Sequence, residues 1–162
     1  MEKKRIYLDD IRTPISPNNA WVDGIQEWTV VRSYEEFVSK VNEIGLNNIE
    51  LISLDHDLGD TAMSEYYNNV SPNYKLDYNN IDEKTGYDAA KFLVNLFYSL
   101  NENRINMSRG EKKRDKNFYF PRVVVHSANP IGSANIMGYI NNFLMNEGQP
   151  QDCVRVNIEH YV

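Results

Sequence analysis

Cysteine occurs once in the 162 residues, at Cys153, so the chain cannot close an internal disulfide, and no CxxC or Cys/His spacing for zinc is present. Histidine is scarce, with three in all. No apolar run approaches membrane-spanning length, and the opening MEKKRIYLDD passes from charge straight into a strand-like run without the apolar region of a signal peptide. These absences point to a soluble protein of a reducing cytoplasm with no membrane partner. Basic residues are outnumbered, 17 Lys and Arg against 23 Asp and Glu, and the formal net charge is −6. Binding to duplex DNA depends on neutralising phosphates, so that balance argues against a duplex-DNA partner.

What is present is enough for one core. With 41% hydrophobic residues over this length, a single domain spanning 1–162 is expected. Apolar, β-rich runs at 5–8, 28–31, 49–54, 123–125 and 154–158 read as strands. Between them lie helical patterns. Ser33 with Glu36 forms a capping box, Phe37, Val41 and Ile44 make a stripe, and Gly45 stops it. Residues 87–100 and 133–146 supply two more apolar helices. Strands alternating with helices predict an α/β fold, a parallel sheet covered on both faces. Two insertions interrupt it, at 59–84 and 101–119. The first leaves the carboxyl end of a strand, the edge at which open α/β sheets bind ligands, whereas the second belongs at the opposite edge. The locally basic RGEKKRDK of the second insertion reads as solvated surface ahead of a nucleic-acid or partner contact.

The stretch SLDHDLG, 53–59, ends an apolar strand in three consecutive titratable residues, more than a turn requires. Asp9 and Asp10 end another strand, in LDD. If the two strands are neighbours, Asp9, Asp10 and Asp55 converge. Singly, each acid could cap a turn, and Asp57 could solvate a loop. As a set they would repel one another without a cation, and hard oxygen ligands point to magnesium or manganese.

The other half is VVVHSANPIGSAN, 123–135. A strand ends in His126, Ser127 and Asn129, and Pro130 and Gly132 turn the chain into a helix expected to begin near Ser133. Helix N-termini present unpaired N–H groups that suit a phosphate, to which Ser127 and Asn129 could add hydrogen bonds; an ordinary capped helix would look the same. Arg12 is placed to clamp a phosphate. His56 and His126 have the right ordinary pKa for proton transfer, although strand alternation leaves open that His126 points away from a pocket facing Ser127. Tyr66, Tyr67, Tyr74 and Tyr78 of the first insertion would lie on the same edge, either stacking on a base or packing within the loop.

RIYLDD, ELISLD, the Thr85–Gly86 pair and VVVHSA resemble segments of response-regulator receiver domains. As a set, LDDIRTP, LDHDLG, TGYD and HSANPIGSANI resemble the cyclic-phosphate processing receiver domain family. That resemblance implies a flavodoxin-like three-layer sandwich with strand order 2-1-3-4-5, the first helix being replaced by a Pro-rich loop. It implies a metal-dependent phosphoesterase opening a cyclic phosphate on an RNA end or a nucleotide messenger. Asp9, Asp10 and Asp55 would hold the metal, and Asp55, His56 and His126 would be catalytic. Arg12, Asp57, Thr85, Ser127, Asn129, Gly132, Ser133 and Asn135 would contact substrate. The alternatives are a module that sequesters a cyclic nucleotide and a receiver that takes phosphate on Asp55. VRVNIE has no counterpart of the receiver's lysine-proline, which argues against the last.

Overall fold

The computed structural model describes residues 2–14, 28–105, 120–157 and 160–161. Five strands form an all-parallel sheet: β1 (Lys4–Leu8), β3 (Trp28–Val31), β4 (Ile49–Leu54), β5 (Arg122–Val125) and β6 (Val154–Arg155), in the order β3-β1-β4-β5-β6. Counting only the strands of this sheet, that is the expected 2-1-3-4-5. The two-residue β2 (Thr13–Pro14) stands outside it, paired antiparallel with β7 (His160–Tyr161), a pairing the sequence reading did not contain. Of the expected strand at 154–158, Val154 and Arg155 are in β6, and Ile158 lies outside the described residues.

Three helices carry the core: α1 (Tyr34–Ile44), α4 (Gly86–Ile105) and α5 (Pro130–Asn146). Strand alternation sends Ile6, Leu8, Ile52, Leu54, Val123 and Val125 to one face, where they meet Phe37 and Val41 of α1, Ala89, Leu93 and Phe97 of α4, and Ile136 and Ile140 of α5. Helix α4 packs against both α1 and α5, so the three form one layer. The opposite face presents Tyr7, Ser53 and Val124 in register, all buried. Residues 15–27, on which the degenerate first helix was expected, lie outside the described residues.

Local signals set the helix ends. Ser33 Oγ accepts the Glu36 N–H at 3.1 Å, and Gly45 follows α1 at φ 88°. Glu36 reaches back to the N–H of Arg32 rather than that of Ser33, at 2.8 Å, so the capping box closes one residue early. Helix α5 begins at Pro130, not near Ser133: Asn129 is the cap, its Oδ1 accepting the Gly132 N–H at 2.9 Å, and Pro130 takes the first turn, where its missing N–H costs nothing.

The 59–84 insertion is folded. It contains α2 (Asp60–Glu65), a π-helical turn (Tyr66–Val70), α3 (Ser71–Asn73) and a 3₁₀ turn (Tyr78–Asn80). Glu65 accepts hydrogen bonds from Asn69, Asn80 and the Asp77 N–H, while Glu83 accepts from the Thr61 hydroxyl and the Ala62 N–H. Of the second insertion, α4 takes the part through Ile105, and 106–119 lie outside the described residues. No helix among the described residues is long and apolar enough to cross a membrane.

Candidate functional site

The sheet ladder runs one residue past the end of three strands. The Asp9 N–H donates to the Val31 carbonyl (3.1 Å), that of Asp55 to Leu8 (2.9 Å) and that of His126 to Leu54 (3.0 Å). Each residue follows a core-facing one, so Asp9, Asp55 and His126 form a row on the face away from the core.

Asp9 is fully buried and its oxygens are engaged. Oδ1 accepts the N–H groups of Ile11 (2.9 Å) and Arg12 (2.8 Å), and Oδ2 accepts Arg12 Nε (3.0 Å) and His126 Nε2 (3.1 Å). Burial works to raise its pKa, but the hydrogen bonds from His126 and the turn, with the Arg12 charge, hold it down at about 2. The same Arg12 reaches Asp55 Oδ2 at 3.3 Å. Asp55 goes the other way, pushed up to about 7 by burial and by the charge of Asp9. Asp10 is raised too, by burial and then by Asp9. Arg32, following β3, ties the turn together by donating to the carbonyls of Asp9 and Arg12 and to Thr13 Oγ1.

His126, the third member of this row, is buried. Its Nε2–H donates to the ionised Asp9, which leaves Nδ1 to accept the Ser53 hydroxyl at 2.7 Å. The ring stacks on Tyr7 with centroids 4.2 Å apart and planes 9° apart. Ser53, on the strand between them, is small enough to let the two rings meet. The Tyr7 hydroxyl, buried in this layer, has no hydrogen-bond partner among the described residues.

His56 is fully buried and holds a second chain of hydrogen bonds. Its Nδ1–H donates to Asp57 Oδ1 at 2.7 Å, its Nε2 accepts the Tyr78 hydroxyl at 2.9 Å, and the Tyr78 oxygen accepts Asn135 Nδ2–H at 3.0 Å. Asn129 Nδ2 also donates to Asp57 Oδ1, at 3.2 Å. Two glycines make room. A Cβ on Gly132 would fall 2.3 Å from the His56 ring, and one on Gly86 would fall 1.9 Å from the Asp55 carbonyl oxygen. Thr85 caps α4: its hydroxyl accepts the Tyr87 N–H while its own N–H donates to Asp88.

A cavity of about 350 Å³ opens beside the acid row. The structure brings Asp9, Asp10, Arg12, Asp55, Asp57 and Ser127 to its wall, with Tyr66 and Tyr67 from the insertion. His56, His126, Thr85, Asn129, Gly132, Ser133 and Asn135 are not among its lining residues. His56 and Asn129 stand behind Asp57, His126 behind Asp9, and Asn135 behind Tyr78, while Ser133 donates to the Ser127 carbonyl. Thr85 and Tyr78 line a second cavity of about 290 Å³. Tyr74 is exposed at the end of α3. Tyr7, Arg32, Ser53 and Arg155, which grips the Ser127 carbonyl at 2.9 and 3.1 Å, escaped the sequence reading. Arg32 alone carried a signal, a cation directly after a strand at the ligand edge.

The donor set suits a hard divalent cation. Carboxylate oxygens of Asp9 and Asp55 lie within 4.8 Å of each other and of a ring nitrogen of His126, whose two nitrogens are already bonded to Asp9 and Ser53. Four carboxylates line the cavity, and the raised pKa values of Asp10 and Asp55 reflect burial first and the neighbouring charge of Asp9 second.

A family model described as the cyclic-phosphate processing receiver domain matches residues 4–142. No curated protein and no solved structure matches the chain.

Proposed function

The chain belongs to the cyclic-phosphate processing receiver domain family, and from that premise we propose that it opens a cyclic phosphate by metal-dependent hydrolysis in the cavity beside Asp55. The cavity itself carries the reading: four carboxylates surround one arginine in a space of about 350 Å³. A phosphate entering it meets like charge unless a cation comes too. Asp9, Asp10 and Asp55 would hold a magnesium or manganese ion, which when bound offsets that charge and polarises a phosphoryl oxygen. Arg12, anchored on Asp9 and Asp55, orients the phosphate, and Ser127 offers a hydroxyl at the cavity wall.

Proton handling falls to Asp57. Of the residues around His56 it is the one that reaches the cavity, and its Oδ1 is held by His56 and Asn129. Asp57 takes the proton of the attacking water and returns it to the ring oxygen that leaves, giving a phosphomonoester. His56 acts through Asp57, and His126 through Asp9. What carries the phosphate, an RNA end or a nucleotide messenger, depends on what the rest of the cavity accepts.

The test is incubation with cyclic mononucleotides and a cyclic-phosphate-ended oligonucleotide, with and without Mg²⁺ or Mn²⁺, followed by analysis of the recovered ligand. The expected product is the ring-opened monoester, formed only with metal and lost about a hundredfold in Asp57→Asn. Ligand retained but recovered intact would replace hydrolysis with sequestration. Phosphate left on Asp55 would make the chain a phosphoacceptor.

A further inference from the structure

The acid row occupies only part of the cavity. The other part is lined by Met63, Tyr66 and Tyr67 from the 59–84 insertion, with Ile11 from the turn after β1. Tyr67 is 65% exposed, a large aromatic surface left open to solvent at the mouth of a binding space. The two tyrosines are consecutive in sequence. On a regular helix, neighbours point about 100° apart and do not face one another. Here they begin a π-helical turn (Tyr66–Val70) and both reach the same cavity, their rings 5.2 Å apart and 76° from parallel. Such turns are rare and concentrate at functional sites. One ring thus offers a face for stacking while the other stands across it, with hydroxyls available to the edge of a planar ligand.

Resting on the hydrolytic reading above, we infer that Tyr66 and Tyr67 form a nucleobase subsite and that the ligand is a single nucleoside cyclic phosphate rather than an RNA end. Size and charge carry the second half. About 350 Å³ is a small-molecule volume, near the lower end of ligand pockets. A strand-binding groove tracks successive phosphates with Lys and Arg. The cavity has four carboxylates and one arginine, itself paired with Asp9 and Asp55. A second phosphate drawn into the cavity with a polynucleotide would meet acid, not base.

The full-length protein in Mg²⁺ is titrated with a nucleoside cyclic monophosphate, a base-free ribose cyclic phosphate, and an oligoribonucleotide ending in a cyclic phosphate. Binding and turnover are read separately. The mononucleotide should bind about tenfold or more tightly than the base-free compound, the range expected for one stacked base. Tyr67→Ala and Tyr66→Ala should erase that preference while leaving the base-free affinity unchanged, and Tyr67→Phe should restore most of it. The oligonucleotide should bind no better than the mononucleotide. Equal affinity for the base-bearing and base-free compounds in the parent overturns the subsite, whether or not turnover is seen. A much tighter oligonucleotide overturns the choice of ligand in favour of an RNA end. A base preference without turnover upholds the subsite and overturns the hydrolysis.

Discussion

Asp9 and Asp55 occupy equivalent places on adjacent strands, yet their pKa values are driven apart, to about 2 and about 7. The difference is supply: Asp9 takes the turn's N–H groups and His126, so burial and Asp9's own charge fall on Asp55. The sign of the consequence follows. An Asp ionises near pH 4 when unfolded, so between about pH 4 and 7 the native state holds a proton on Asp55 that the unfolded chain has lost. Stability from this group therefore falls as pH rises through that window. Asp9 contributes stability above about pH 4 that is lost as pH falls toward 2. In chelator, the melting temperature of Asp55→Asn relative to the parent should be higher at pH 8 than at pH 4.5; an unchanged difference would show that Asp55 carries no native-state proton. The position of these acids was legible, because LDD and SLD end apolar strands and alternation sets their face. The partners were not. Nothing local pairs His126 with Ser53 73 residues away, or stacks it on Tyr7.

At the scale of elements, α4 is held against the end of β4 by an absent side chain. The Gly86 N–H donates to the His56 carbonyl at 2.9 Å, and a Cβ there would sit 1.9 Å from backbone oxygen. Gly86→Ala should cost about 3 kcal/mol, at the upper end of overpacking penalties, because neither side can yield by a side-chain rotation. Gly138, inside α5, is its control: a Cβ there meets nothing within 4 Å, and Gly138→Ala should gain about 0.4–1 kcal/mol in urea unfolding. Similar effects at both positions would mean that the first turn of α4 can move. The expected strands at 28–31 and 49–54 match β3 and β4, because β-rich runs that stop at a charged residue, here Arg32 and Asp55, are local signals. The insertion was illegible for the opposite reason. Its Asn- and Tyr-rich sequence has no amphipathic period, and Glu65 holds it through bonds to Asn80 and Asp77, 15 and 12 residues on.

For the whole molecule, one sheet face carries the apolar core, while the other leads to the acid row and the cavity. Charge concentrated there makes folding and cation binding linked equilibria. A cation that binds only the native state at a hundredfold excess over its Kd adds about 2.7 kcal/mol, roughly 5–10 °C in melting temperature for a chain of this length. Mg²⁺ or Mn²⁺ should produce such a rise, reversed by chelator and absent in Asp10→Asn and Asp55→Asn. A rise of equal size in both variants would place the ion elsewhere.

The insertion has a further bearing, on how such proteins diverge. Asp55, His56, Asp57, Tyr66, Tyr67, Tyr78 and Gly86 all fall between β4 and the first turn of α4, whereas Asp9, Arg12 and Ser127 come from other strands. The two cavity tyrosines are thus written in one uninterrupted run of codons with Asp55 and Asp57, while Asp9, Arg12 and Ser127 lie outside it. If Tyr66 and Tyr67 hold a base as proposed, exchange of residues 60–84 between relatives would move that preference to another scaffold in a single genetic event, leaving Asp55, Asp57, β1 and β5 in place.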